Sequence, residues 1–482
     1  MRRYGRGIVA LEEEEVRVTE TPAEVPAEVP VEDVPAEPAS AEDPVETPAP
    51  TEELAVEDNA ESLETDLIEL TDDKAEQDDR EVQVDEAEEV AEALESIAEV
   101  LKVSAANGGM DRYAAEAISI ATQHMCARVG IQKKPMPAME SFGGLSSRVN
   151  STEVAMEGIA DAAAKIWASI IAHLKKAIDW AADFFSNVFN TWGKIEKRAK
   201  ELESKKATIT GGAKASKITN ARLAKALSIS GAVSKNIVID TDKFGSVVKS
   251  VFDGAKDNAT DIATDIADLV TRFESVQNDI NNFELPGLSG GFLKKVPNPV
   301  ADGFSTKLLY KDLVNVRSIE IFGGKAIVGI MPERTLTGKA AIAAVGDISI
   351  GLGAFKPKAP EVTAEELDVL TPEEIGQIAQ AVGRIATTGL AYKNHLPAIQ
   401  DAKKKVVAIA EKFTKAGPSS VNESFNSMRT VAAAYTRFAD QPAASMALYS
   451  LNTCKALLDY VEVSIKNSIT EPTSASGDSA KK

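Results

Sequence analysis

The 482-residue chain divides into a strongly acidic N-terminal part and a mildly basic remainder. Residues 1–100 contain 34 acidic and 6 basic residues, a net charge of −28, whereas residues 101–482 carry +7. The sequence has no run of about 18 apolar residues, so we expect no membrane-spanning helix. Its two cysteines, Cys126 and Cys454, are far apart, which argues against a disulfide framework and favours a reducing compartment.

A disordered acidic tail is predicted over residues 1–84. Eight prolines stand between Pro22 and Pro50, and aromatic residues are almost absent. Mutual repulsion at this charge density, with little apolar surface, cannot offset the entropy that is lost on ordering. The composition leaves two roles open: a solubilising tail, and a regulatory or removable segment.

A helical hairpin is predicted next, over residues 85–140. Its first helix covers 85–103, and the paired glycines of Asn107-Gly108-Gly109 end it by supplying a left-handed backbone conformation. Its second helix covers 112–129, where apolar residues again recur on one face.

The connection after this hairpin is a candidate site of proteolysis. Pro137 breaks the chain before Ala138–Ser141, and Gly143-Gly144 loosens it afterwards. A protease is able to bind such an exposed segment as an extended strand. The same triplet, Ala-Met-Glu, recurs at Ala155–Glu157 and is followed by Gly158. Two such triplets in a chain rich in Ala and Glu are weak evidence by themselves.

The strongest periodic signal predicts a long amphipathic helix over residues 158–192, within a helical region that covers 141–285. Apolar residues recur every three or four positions from Ile159 to Trp192. The polar face mixes acidic and basic residues, which favours packing in a core over binding to a membrane surface, where Lys and Arg predominate. A membrane-active or toxin-like protein that acts through residues 158–192 remains the alternative.

The rest of this helical region is less regular. Residues 210–231 are predicted to form a loop and a short helix, Ile237-Val238-Ile239 a strand, and residues 244–283 another helix.

A small β-rich insert is predicted over residues 286–356. Its short strands would be joined in part by a hairpin at Gly323-Gly324. The predicted strands are Leu308–Tyr310, Ser318–Phe322, Ala326–Ile330 and Ile348–Leu352.

A C-terminal helical bundle is predicted over residues 357–469, followed by a disordered tail over 470–482. Thr371, Pro372 and Glu374 form the pattern of a capped helix start. Short loops between the helices favour four antiparallel helices. Their bounds are Glu373–Thr388, Pro397–Phe413, Val421–Ala439 and Ala443–Lys466. The predicted fold class is therefore mainly α.

No catalytic, cofactor-binding or metal-binding residues are predicted. The three histidines, His124, His173 and His395, lie in different elements, and no HExxH or CxxC spacing occurs. Gly211-Gly212-Ala213-Lys214 lacks the spacing of a phosphate-binding loop, and Gly351-Leu352-Gly353 lacks the third glycine of a dinucleotide-binding loop. The sequence thus predicts neither an enzyme nor a cofactor.

Basic residues cluster between Lys194 and Lys206 and again at Lys403-Lys404-Lys405. Acidic residues dilute the first cluster, and no interleaved aromatic residues support the stacking of bases. These clusters are compatible with non-specific phosphate contact, although a solvated helix face is the favoured interpretation.

Six short motifs stand in a fixed order along residues 90–195. They are Glu95-Ser96-Ile97-Ala98-Glu99, Asn107-Gly108-Gly109-Met110-Asp111, Cys126-Ala127-Arg128-Val129-Gly130, Pro137-Ala138-Met139-Glu140-Ser141-Phe142-Gly143, Ala155-Met156-Glu157-Gly158-Ile159 and Trp180-Ala181-Ala182-Asp183-Phe184-Phe185. Taken in this order, they resemble the motifs of internal head (prohead core) proteins of large tailed bacteriophages, and the order carries the resemblance more than any single motif.

This resemblance implies a virion structural protein that is packed inside the prohead as core or scaffold. In that family the phage maturation protease trims propeptides after small-x-Glu triplets. Carried over to this chain, capsid maturation would cut after Glu140, within Ala138-Met139-Glu140-Ser141, or alternatively after Glu157, within Ala155-Met156-Glu157-Gly158. The helical placement of the second triplet disfavours it.

The same resemblance implies the partners and the location of the protein. The partners would be other head core proteins, the major capsid protein and the maturation protease, with non-specific DNA contact and no stable membrane insertion. The protein would be made in the cytoplasm of the bacterial host and would reside in the interior of the virion capsid.

Overall fold

Helices dominate the part of the chain that the computed structural model describes, which confirms a mainly α fold. The described residues are 52–131, 136–275, 283–285, 300–301, 313–355, 366–415, 423–439 and 441–470. The α-helices are α1 (Glu52–Ala106), α2 (Arg112–Arg128), α3 (Leu145–Lys205), α4 (Ala221–Ala226), α5 (Ile237–Ser275), α6 (Gly338–Val345), α7 (Pro372–Ala391), α8 (Leu396–Lys415), α9 (Glu423–Phe438) and α10 (Ala443–Lys466).

The β-strands are short, and most of them pair two by two. The strands are β1 (Ile209–Ala213), β2 (Lys217–Thr219), β3 (Ser228–Ile229), β4 (Ala232–Val233), β5 (Glu284–Leu285), β6 (Val300–Ala301), β7 (Leu313–Arg317), β8 (Lys325–Pro332), β9 (Leu336–Thr337), β10 (Ser349–Ala354), β11 (Glu366–Asp368) and β12 (Ser468–Thr470). Sheets of two strands join β1 to β12, β2 to β11, β3 to β4 and β5 to β9, and one antiparallel sheet has the order β10-β8-β7-β6.

Helix α1 begins at Glu52, so the prediction of disorder over residues 52–84 is wrong. The acidic segment carries leucines at helical spacing, and Leu63, Leu67 and Leu70 are buried. The missing apolar surface is supplied by the neighbouring helix α3, on which α1 packs. Residues 1–51 of the predicted tail lie outside the described residues.

Helix α3 has 61 residues and is longer than its predicted core at 158–192. At 1.5 Å per residue it extends for about 90 Å. Its apolar positions, from Ile159 to Leu202, are buried against α1, α7, α8 and α10. Helices α1 and α3 run antiparallel, because Asp66 of α1 contacts Lys194, whereas Met110, just beyond α1, contacts Thr152.

The helix after the middle region starts earlier than predicted. Ile237-Val238-Ile239 is the first turn of α5 and not a strand. Asp240 in that first turn accepts a hydrogen bond from the Ser234 hydroxyl at 2.6 Å, which holds the chain at the helix start. The helix is described as far as Ser275, and residues 276–282 of the predicted helix lie outside the described residues.

The four-stranded sheet lies within the predicted β-rich insert, but one of its strands is displaced. Strand β7 precedes the predicted strand at 318–322, and Leu313 pairs with Pro332 whereas Arg317 pairs with Val328. Residues 318–324 form the connection, in which Gly323 and Gly324 both have positive φ. Both glycines have the left-handed backbone conformation that lets the chain turn just before it enters β8. The predicted strand at 308–310 lies outside the described residues.

The C-terminal helices start and end within a few residues of their predicted bounds. Thr371 and Glu374 form a capping box at the start of α7, with Pro372 at the first helical position. Helices α7, α8 and α10 each pack on both α3 and α5. Thr470, which was predicted to open the disordered tail, is the last residue of β12; residues 471–482 lie outside the described residues. The division of the body at residues 140, 285 and 356 stays a prediction.

Candidate processing site and the helix packed on the body

The segment Ala138–Ser141 lies in a short connection between α2 and α3. Met139–Phe142 form a single 3-10 turn, capped by Ala138 on one side and Gly143 on the other. The Ser141 amide donates to the Ala138 carbonyl at 3.1 Å, and the Ser141 hydroxyl donates to the same oxygen at 2.6 Å. The side chain of Glu140 is exposed. A protease would therefore have to open one local turn, and no longer element, to bind this segment as an extended strand.

The residues just after Glu140 are anchored on α3. The Phe142 side chain is fully buried. The Ser151 hydroxyl donates to the Ser141 carbonyl at 3.0 Å, and the Arg148 Nε donates to the Phe142 carbonyl at 3.3 Å. The bond after Glu140 thus joins an exposed residue to residues that are fixed on α3.

The second triplet, Ala155–Glu157, lies inside α3. Ala155 is fully buried against the core, and only Glu157 of the triplet is exposed. A protease that binds extended chain would have to unwind α3 at this point. The two triplets therefore have the same three residues in different structural settings, and the structure does not bring them together.

Helix α1, which precedes the processing segment, is joined to the body by buried ion pairs that the sequence analysis missed. Arg437 of α9 contacts Asp85 at 2.9 Å and Glu88 at 2.6 Å. The Glu88 side chain is 8 % exposed and that of Arg437 is 15 % exposed. Burial raises the pKa of Glu88, against the opposing effect of Arg437. The contact joins residues about 350 positions apart, so no local sequence pattern announces it.

A second buried pair lies about two turns further along α1. Glu95 contacts Arg429 of α9, and both side chains are less than a tenth exposed. The Arg429 guanidinium lies 5.0 Å from the ring centre of Trp167 on α3. Burial raises the pKa of Glu95 to about 7, although the positive charge of Arg429 opposes the shift. Burial also lowers the pKa of Arg429.

The N-terminal half of α1 is joined to α3 by polar contacts at the edge of its apolar stripe. Lys194 contacts Asp66 at 2.7 Å and donates to the Ser62 hydroxyl at 2.6 Å. The Trp180 indole N–H donates to Asp73 at 2.9 Å. These contacts fix the register of α1 against α3 between Ser62 and Asp73.

The first basic cluster is largely neutralised within the protein. Arg198 is buried and pairs with Asp459 at 2.8 Å and Glu462 at 2.6 Å, both on α10. Lys200 pairs with Glu196, one turn earlier in α3. Arg198 is thus part of the core, whereas the solvated helix face predicted for this cluster holds for its exposed lysines.

The membrane-active alternative depends on a free apolar face on residues 158–192. The large side chains of this face, including Trp167, Phe184, Phe185 and Trp192, are buried in the protein. Among the residues that the structure describes, no helix is long and apolar enough to span a membrane. The same part of the chain contains no group of three or more His, Cys, Asp or Glu residues that are placed to hold a metal ion.

The fold and the setting of the two triplets can now be compared with known proteins. The family model of phiKZ-like phage internal head proteins matches residues 55–463. Because this match covers most of the chain, the protein belongs to the family of phiKZ-like phage internal head proteins. No curated protein and no solved structure matches the chain.

Membership of this family confirms the resemblance found in the sequence and extends it well beyond residues 90–195. The protein is a structural component of the interior of the bacteriophage head, inside the capsid, and associates with other head components.

Proposed function

We propose that the protein enters the prohead with an acidic N-terminal segment, and that the phage maturation protease cuts the chain after Glu140. In the prohead the protein acts as core or scaffold, in contact with other core proteins and the major capsid protein. The location inside the head follows from the family, whereas the cut and these partners are the proposed part.

The observation that carries this proposal is the setting of Glu140. Its side chain is exposed in a single 3-10 turn, whereas the competing Glu157 lies within the 61-residue helix α3. Opening the turn at Glu140 breaks few hydrogen bonds and exposes one buried side chain, Phe142, whereas unwinding α3 would break the hydrogen bonds of a long helix and expose the core around Ala155. The first triplet is therefore the better substrate for a protease that reads small-x-Glu.

Charge supports a change of role once the acidic segment has left the body. Residues 1–140 carry a net charge of −26, and residues 141–482 carry +5. The acidic segment would oppose premature contact between the body and DNA during assembly. The body alone, with its net positive charge, suits weak and non-specific contact with phosphates in a densely packed genome.

Mass spectrometry of purified virions tests the cut directly. Trypsin does not cleave before Pro135, so an uncut chain yields one peptide over residues 134–148 that contains both Glu140 and Ser141. We expect this peptide to be replaced by one that ends at Glu140 and one that begins at Ser141. Recovery of the unbroken peptide alone would contradict the proposal.

A pair of phage variants provides the matched control. Glu140→Gln keeps the size of the side chain but removes the carboxylate that the protease would read, so we expect the cut to disappear. Glu157→Gln makes the same change in the same triplet within α3 and should leave the cut in place. The opposite pattern would transfer the site to the second triplet.

A further inference from the structure

The surface of the body that α1 covers is continuous with the core and does not resemble a loosely attached leader. Apolar side chains of α1 are buried along almost its whole described length. They are Leu63, Leu67, Leu70, Val84, Val90, Ala91, Leu94, Ala98 and Leu101, each at most 7 % exposed. Separation of α1 would expose this stripe and the facing stripe of α3 to water at the same time.

Buried charges strengthen the attachment of α1. Arg429 and Arg437 of α9 face Glu95 and Glu88 of α1 in contacts from which water is largely excluded. If α1 left, each cation and each carboxylate would lose its partner, and a buried ion that loses its partner is strongly unfavourable. Salt screens such pairs much less than it screens exposed ones.

The end of α1 is also fixed at the start of α3. The Met110 amide donates to the Thr152 hydroxyl at 2.8 Å. At Gly109 the backbone approaches α3 so closely that a Cβ there would lie 2.5 Å from the Arg148 carbonyl carbon. These contacts involve residues on both sides of Glu140 and do not depend on the bond that follows it.

From these contacts we infer that a cut after Glu140 nicks the protein without separating its two parts, so that α1 and α2 stay bound to the body as a second chain. The inference rests on the proposed function for the position of the cut. The binding surface is formed by α3, α9 and α10, and its occupant is the acidic amphipathic helix α1 of the same protein. Loss of residues 52–140 from the body is then a separate step from the cut.

A nick made in vitro tests this inference without the phage protease. The recognition sequence of a site-specific protease is inserted between Glu140 and Ser141 of the full chain, the purified protein is cut, and the products are passed over a size-exclusion column. We expect residues 1–140 and 141–482 to co-elute in native buffer and to separate in denaturant. Elution as two separate species in native buffer would overturn the inference.

Salt separates a packed interface from a purely electrostatic one. At about 1 M salt the screening length falls to about 3 Å, which weakens exposed ion pairs but leaves apolar burial in place. We expect the two fragments to stay together under this condition. Release at high salt would show that charge alone holds α1, and would contradict the part of the inference that rests on the apolar stripe.

Neighbouring positions on α1 provide matched variants. Leu67 is 5 % exposed and Ile68 is 57 % exposed. After the nick, Leu67→Asp should shift most of the N-terminal fragment to a separate peak, whereas Ile68→Asp should leave it bound. Circular dichroism before the nick establishes that both uncut variants are folded. Equal retention of the N-terminal fragment in the two variants would contradict the assigned packing face.

The two proposals fail in different ways. If virions contain only the unbroken peptide over residues 134–148, the proposed processing fails, but the in vitro nick still decides whether α1 stays bound. If the cut occurs in virions and the nicked protein falls apart in vitro, only the present inference fails.

Discussion

Helices α1 and α3 lie side by side, yet they bury their common face in different ways. The buried face of α3 consists mainly of large apolar side chains, among them Trp167, Phe185 and Trp192. The buried face of α1 combines leucines with Gln77, Glu88 and Glu95, all less than a tenth exposed. The apolar side chains of α3 therefore favour its burial by themselves, whereas the buried carboxylates of α1 depend on cations that another helix supplies.

The largest effect is expected when one of those cations is removed. Arg437→Gln leaves Glu88 buried without its positive partner, and we expect the free energy of unfolding to fall by about 3–5 kcal/mol. Denaturant titration followed by circular dichroism measures the change. Proteolysis should also start earlier within α1 than in the unchanged protein.

An exposed pair on the body serves as the control. Arg384 contacts Asp242 at 2.7 Å, with both side chains more than half exposed. Arg384→Gln should lower stability by no more than about 1 kcal/mol, because water replaces a surface partner. Equal effects of the two substitutions would mean that the charges on α1 are not specially dependent on α9.

The second test acts on the register between α1 and α3. Gly109 has φ +80° and its backbone lies against Arg148, whereas Gly108 has φ +101° and open space around it. Gly108→Ala should cost about 1–2 kcal/mol from backbone strain alone. Gly109→Ala adds a backbone collision and should cost at least about 1 kcal/mol more. Thermal unfolding of the two variants compares them, and equal losses would show that this contact does not hold the register.

The sequence predicts elements that carry an apolar stripe of their own. Residues 158–192 and the four C-terminal helices are helical as predicted, because their apolar residues recur at three and four positions. The helical state of residues 52–84 could not be predicted in this way, since the apolar stripe is interrupted there by buried Gln77 and by half-buried Lys74 and Glu81. The prediction of a strand at Ile237-Val238-Ile239 was wrong for the opposite reason. These β-branched residues favour a strand, but they lie in the first turn of α5.

The candidate processing site also shows which features a local sequence pattern can predict and which it cannot. Pro137 and Gly143-Gly144 place Glu140 in a connection, and the turn there is short, with Glu140 exposed and Phe142 buried. What the pattern cannot reveal is that Glu88 and Glu95 meet arginines more than 330 positions later in the chain. The charge difference between the two parts is evident in the sequence, but their attachment requires the fold.

The third test concerns the pH dependence of this attachment. Burial raises the pKa of Glu95 from 4.5 to about 7 in the folded protein. Between these values the folded state binds a proton that the unfolded state has released, so this group lowers stability as the pH rises through the window. Arg429, Glu92 and Trp167 surround the carboxyl group, and burial outweighs the attraction of Arg429.

Glu95→Gln removes the titrating group while it keeps the side chain's size. We expect the unfolding free energy of the unchanged protein, relative to that of the variant, to fall by about 2 kcal/mol between about pH 5.5 and 7.5. Parallel denaturant titrations of the two proteins across this range measure the difference. If the relative stability instead rose with pH, Arg429 would hold Glu95 ionised and the pair would stabilise α1 most at neutral pH. A falling curve means that burial outweighs the attraction of Arg429 at Glu95, so that this carboxyl group stabilises the fold less at neutral pH than at acidic pH.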